Sequence, residues 1–118
     1  MVRSIRLRLL DIKIAISDIQ EIARELTVET YLADGVRRRA IERLIEIISE
    51  ASRYLTEEMQ AMTPEIPWRA VAAIGNRLRH GYANVSDPTI WTVVEKDLSV
   101  MLAAIDRLLA ATPKDLPD

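Results

Sequence analysis

Ile5-Arg6-Leu7-Arg8-Leu9-Leu10-Asp11-Ile12-Lys13-Ile14-Ala15-Ile16 carries the pattern on which the fold turns. Ile5, Leu9, Ile12 and Ile16 recur at steps of four, three and four, and Ile19, Ala23 and Leu26 continue the series. An α-helix puts such positions on one face, so the spacing predicts a helix from about Arg3 to Thr27 with a buried stripe. Leu7, Leu10 and Ile14 fall on the opposite side of the same helix, which turns polar afterwards at Asp18, Glu21 and Glu25. This second apolar face is a candidate partner surface. Burial of the helix on both sides by its own chain is the equal alternative.

The rest of the chain repeats the helical logic. Thr27 to Leu32 breaks the periodicity and reads as a connection with one short helical turn. Asp34 is placed to cap a second long helix running to about Thr56. Its buried stripe is Ile41, Leu44, Ile45, Ile48, Ser52 and Leu55, and Arg43, Glu46, Glu50 and Arg53 line the far side at spacings that allow ion pairs. The loop Thr63-Pro64-Glu65-Ile66-Pro67 leads into a third helix over Trp68 to His80, with Val71, Ile74 and Leu78 toward the core. Gly75 borders that apolar side and permits a close helix approach. Asp87 and Pro88 open the last helix as N-cap and first turn. Ile90, Val94, Leu98, Met101, Leu102, Ile105, Leu108 and Leu109 form its apolar face, with Trp91 at the border. Thr112-Pro113 stops it. Four long helices on short loops predict an all-α fold, an antiparallel up-down four-helix bundle. It is one domain spanning 1–118, with 113–118 expected to fray.

Composition narrows the function. Of 118 residues, 49% are hydrophobic and 29% charged, as in ordinary soluble domains. A formal charge of −2 exerts no global pull on nucleic acid, so any such binding must come from a local patch. No cysteine means no disulfide framework and no thiolate metal site, which fits a reducing cytoplasm. A single histidine cannot build a histidine-rich metal cluster within one protomer. No apolar run reaches membrane-spanning length. No glycine-rich phosphate loop is present, and no cofactor is expected.

Chemistry is concentrated in Gly75-Asn76-Arg77-Leu78-Arg79-His80-Gly81-Tyr82. Histidine is the side chain that takes and gives protons near neutral pH. Arg77 and Arg79 supply fixed charge suited to phosphate. Arg69, Asn76 and His80 lie within about 20° of one another on a helix, since seven and eleven residues are close to whole turns. Gly81 is placed to end the helix and release Tyr82 from the spiral. The bland reading is a set of basic residues at the negative end of a helix dipole.

Asn76-x-Leu78-x-His80-Gly81-Tyr82 resembles the signature of the HEPN superfamily, in particular the HepT-like toxins. Pro67-Trp68 upstream and Ile90-Trp91 and Asp97-Leu98 downstream extend the likeness from about Ile5 to Leu109. The resemblance implies an all-helical, dimeric, metal-independent ribonuclease. Its partner would be a nucleotidyltransferase antitoxin that adds AMP to the motif tyrosine. By position, His80 matches the family histidine, Asn76 its polar neighbour and Tyr82 the modified tyrosine. The chain departs from the family pattern at Gly75, where an arginine is expected, so Arg79 or Arg77 would have to supply the positive charge. If the chain is inactive, putting an arginine back at position 75 is expected to restore some cleavage. One histidine per chain cannot serve as both acid and base, which is a mechanistic reason to expect a homodimer with RNA in a shared cleft. Leu7, Leu10, Ile14 and Arg69 are the candidate dimer or partner surface. The alternative keeps the fold without the chemistry, as a nucleotide- or partner-binding module bound to the nucleotidyltransferase.

Overall fold

The computed structural model describes residues 4–80 and 87–112. Helix α1 spans Ile5–Ala23 and starts at Ser4, whose hydroxyl accepts the Leu7 N–H at 3.1 Å. Thr27 caps α2, Val28–Ala33, so the first long helix stops at Ala23 and not at Thr27. Thr27 and Thr30 accept one another's backbone N–H in a capping box. Asp34 then caps α3, Gly35–Ser52, by accepting the Arg37 N–H at 3.0 Å.

α3 ends four residues earlier than its stripe suggests. Thr56 caps a further short helix, α4 (Glu57–Met62), which the periodicity did not announce. A six-residue helix is too short to show a periodic face. α5 runs from Trp68 to His80. The last long helix is not uniform: α6 (Asp87–Thr92) passes through a π-helical segment, Val93–Asp97, into α7 (Leu98–Ala111). There the Leu98 N–H reaches back five residues to the Val93 carbonyl.

α1, α3, α5 and the composite α6–α7 are the four long members of the bundle. Neighbours run antiparallel. Arg6, early in α1, donates to the Leu109 and Thr112 carbonyls at the end of α7, and Lys13 pairs with Asp106 at 2.8 Å. Ser49 of α3 and Arg53 at its C-cap both reach Ala72 of α5. The predicted stripes meet in one core, with Leu9, Ile12, Ile16, Ile19, Ile41, Leu98 and Ile105 sealed from solvent. The short helix α2 inserts Tyr31 against Trp91, ring centroids 5.1 Å apart, and Trp91, at the border of its helix's apolar face, is buried in the core. No described helix is long and apolar enough to cross a membrane.

Two contacts hold the entry to α5. Glu65 pairs with Arg107 of α7, and this hydrogen bond holds its carboxyl below the ordinary value of 4.5. That contribution to stability is present above the ordinary value and is lost as the pH falls through the lowered one. Trp68 Nε1 donates to the fully buried Thr63 hydroxyl at 2.9 Å, and that hydroxyl donates to the Met59 carbonyl. Thr63→Val keeps the shape and removes the acceptor, leaving a buried indole N–H unpaired. It should cost about 1–3 kcal/mol in denaturant unfolding. An unchanged midpoint would mean that the indole finds another acceptor.

Candidate functional site

α5 is held unusually close to α3. Ser49, 1% exposed, accepts the Gly75 N–H at 3.1 Å and donates to the Ala72 carbonyl at 2.9 Å. A Cβ on Gly75 would stand 2.8 Å from Ser49 Cβ and closer still to its hydroxyl. Only glycine fits this crossing without separating the helices. The lock fixes how the polar side of α5 is presented. Arg69, Asn76 and His80 are all exposed there, as the helical spacing requires.

Within that stripe the structure brings some candidates together and leaves others apart. Arg79 Nη2 donates to Asn76 Oδ1 at 2.7 Å. Its other terminal nitrogen lies 3.9 Å from the Cβ position of Gly75, so the guanidinium folds back along the helix over the glycine. The Arg77 side chain is exposed and bonds no other described residue, and the same holds for the His80 side chain. On α1, Leu7 and Leu10 are half-buried and Ile14 is 58% exposed. The second apolar face is therefore partly covered at Leu7 and Leu10 and open at Ile14. Tyr82 and Gly81 lie outside the described residues, as do Arg3 and 113–118, and the capping role of the Asp87 side chain lies outside them too. Among the described residues, no three acidic or histidine side chains converge as a metal site would require.

The ion pairs expected along α3 do not form. Arg53 turns to the Ala72 carbonyl at 3.3 Å. Arg43, Glu46 and Glu50 make no side-chain hydrogen bond or ion pair with another described residue. They line instead a pocket of about 190 Å³ between α1, α3 and α5, together with Arg8, Asp11, Ile47, Ala51 and Arg79. A more apolar cavity, about 360 Å³, lies on the core side of α5 between residues such as Ile45, Ile74, Leu98 and Met101. It carries none of the polar stripe.

The described HepT-like family of ribonucleases matches residues 12–108, most of the chain. The chain belongs to this HepT-like ribonuclease family. A Thermococcus cleftensis protein named as a ribonuclease HepT is 35% identical over 108 residues, covering 92% of this chain and 98% of that one. Two Methanocaldococcus jannaschii proteins that carry RNase names are 28% identical over 96 residues and 29% over 107. They cover 81% and 91% of this chain, and 88% of each relative is covered. No solved structure matches.

Against the HepT-like pattern, the expectation about Gly75 needs correcting. An arginine there meets Ser49 at its first side-chain carbon, so position 75 has no room for one while α3 and α5 keep this crossing. Arg79, and not Arg77, is the guanidinium beside the vacated position. Sequence reasoning also missed Arg8, whose guanidinium carbon lies 3.5 Å from the centre of the Tyr54 ring. Those residues are 46 apart, beyond any local spacing signal.

Proposed function

We propose that this HepT-like chain is a metal-independent endoribonuclease, the toxin of a toxin–antitoxin pair, working in the cytoplasm as a two-fold dimer. The carrying observation is an exposed His80 whose side chain has no partner among the described residues, beside an Asn76 already tied to Arg79. In the proposed reaction the RNA 2′-oxygen attacks the adjacent phosphorus and the bond to the 5′-oxygen breaks. One imidazole takes the 2′-hydroxyl proton, and a second, from the other protomer, gives a proton to the leaving oxygen. Arg79 neutralises charge on the phosphorane, and Asn76 orients Arg79. The pH–rate profile is then bell-shaped, because one histidine must be neutral and the other charged. Arg69, on the same stripe, and Ile14, with Leu7 and Leu10 beneath it, are offered to the second copy. Cleavage of single-stranded RNA by a purified dimer in EDTA tests the reading. A monomer at micromolar concentration, or activity that vanishes with EDTA, contradicts it.

A second reading has one observation in its favour. The Gly75–Ser49 lock leaves no place for the expected arginine, which suits a non-catalytic module that binds a nucleotide or a nucleotidyltransferase. Wild-type cleavage decides between them.

Tyr82 is the proposed switch. AMP added to its hydroxyl by a cognate nucleotidyltransferase would bring a phosphate next to Arg77, Arg79 and His80 in the chain, competing with RNA phosphate for the same cations. Co-expression with that enzyme should add one AMP mass to wild type and none to Tyr82→Phe. An adduct that survives Tyr82→Phe removes this tyrosine as the control point.

A further inference from the structure

The pocket of about 190 Å³ lined in part by Arg79 also holds carboxylates that the cleavage chemistry does not use. Guanidinium groups and carboxylates face one cavity from three helices: Arg8 and Asp11 from α1, Arg43, Glu46 and Glu50 from α3, Arg79 from α5. Opposite charges so placed would ordinarily close on one another. Here Arg43, Glu46 and Glu50 pair with no described residue. A cavity that holds donors and acceptors apart suits a ligand that presents both along one edge. Phosphate alone does not, because the carboxylates would repel it.

Arg8 adds a stacking surface. Its guanidinium lies against the Tyr54 ring on one side, 3.5 Å from the centroid, and Arg8 also lines the pocket. Its Nε is buried with no hydrogen-bond partner among the described residues. An arginine plane backed by an aromatic ring is a platform on which an unstacked RNA base can lie. Arg79 joins this pocket to the motif, since it lines the cavity and donates to Asn76. The Ser49–Gly75 contact keeps the two helices that form both sites in a fixed register.

We propose that this pocket is a base-recognition site that takes one guanine of single-stranded RNA, next to the phosphate that is cut; the adjacency rests on the ribonuclease reading. Guanine is the base whose edges match the lining most fully. O6 and N7 accept from an arginine fork, N1–H and the N2 amino group donate to carboxylates, and the face stacks on Arg8. Glu50 and Glu46 read the Watson–Crick edge, and Arg43 reads the other.

The test is binding of GMP, AMP, CMP and UMP to wild type, Glu50→Gln and Arg8→Lys by calorimetry, with far-UV circular dichroism confirming the fold of each variant. Wild type should prefer GMP roughly tenfold or more, the scale of one bidentate base contact. Glu50→Gln should erase most of that preference, and Arg8→Lys should weaken GMP binding although the charge is kept. Equal binding of the four nucleotides overturns the proposal. So does inorganic phosphate competing with GMP as well as GMP itself does. If Arg8→Lys binds GMP like wild type, the stacking role is wrong and the proposal falls. Mapping of RNA cleavage is the second arm. Cuts beside G that lose their preference in Glu50→Gln support the site. Cuts without base preference overturn it while leaving the ribonuclease reading intact. GMP selectivity without any cleavage has the opposite meaning: the base site stands and the nuclease does not.

Discussion

His80→Ala should lower RNA cleavage by a factor of about 10² to 10⁴, the usual loss when a general acid or base is removed. In the proposed dimer both protomers would lose their imidazole at once, so the proton donor and the proton acceptor would disappear together and the upper part of that range is expected. The side chain is exposed and bonds no other described residue, so its removal should leave the melting temperature and the dimer unchanged. A mixed dimer with one His80→Ala protomer is informative. It keeps one imidazole in a shared cleft and should be nearly as slow as the double variant, because acid and base are both required. Half-maximal activity in the mixed dimer would show that each protomer cleaves by itself.

Gly75→Arg should destabilise the protein by about 3 kcal/mol rather than restore a lost activity. The new Cβ would stand 2.8 Å from Ser49 Cβ, an atom held by the α3 backbone, so a side-chain rotation cannot relieve the clash. Overpacking of this kind costs roughly 1–3 kcal/mol. Pushing the helices apart also stretches the bonds that Ser49 makes to Gly75 and Ala72, each worth about 1 kcal/mol. For a domain of this size the melting temperature should fall by roughly 10 °C. Gly75→Ala should show part of the same loss, since the clash begins at Cβ. Ser49→Gly in the Gly75→Arg background removes both obstructing atoms and should recover part of it, whereas Ser49→Ala, which keeps Cβ, should not. A Gly75→Arg protein as stable as wild type would mean that α3 and α5 move apart without cost.

The helices were legible because their signal is local. Ile5, Leu9, Ile12 and Ile16 recur at the period of a helix, and Asp34 caps within three residues of the N–H it satisfies. The same period placed Arg69, Asn76 and His80 on one face of α5, and all three are exposed. Where two local signals compete, the pattern alone misjudged. Thr27 looked like the end of one helix and is the cap of the next, and Thr56 does the same for α4. The Val93–Asp97 π segment left the apolar stripe of the last helix readable while changing its hydrogen bonding from four residues to five.

The sequence by itself determined a bundle of four long helices and a polar stripe on α5, since both follow from residue type and helical period. Tertiary structure alone decided what that stripe meets. Ser49 and Gly75 are 26 residues apart, and Arg8 and Tyr54 are 46 apart. Whether such pairs touch depends on the register of one helix against another, which is set by the packing of the whole core and by no spacing along the chain. That register closed position 75 to any side chain, folded Arg79 over the vacancy, and turned the charges of α3 from surface ion pairs into the lining of a pocket.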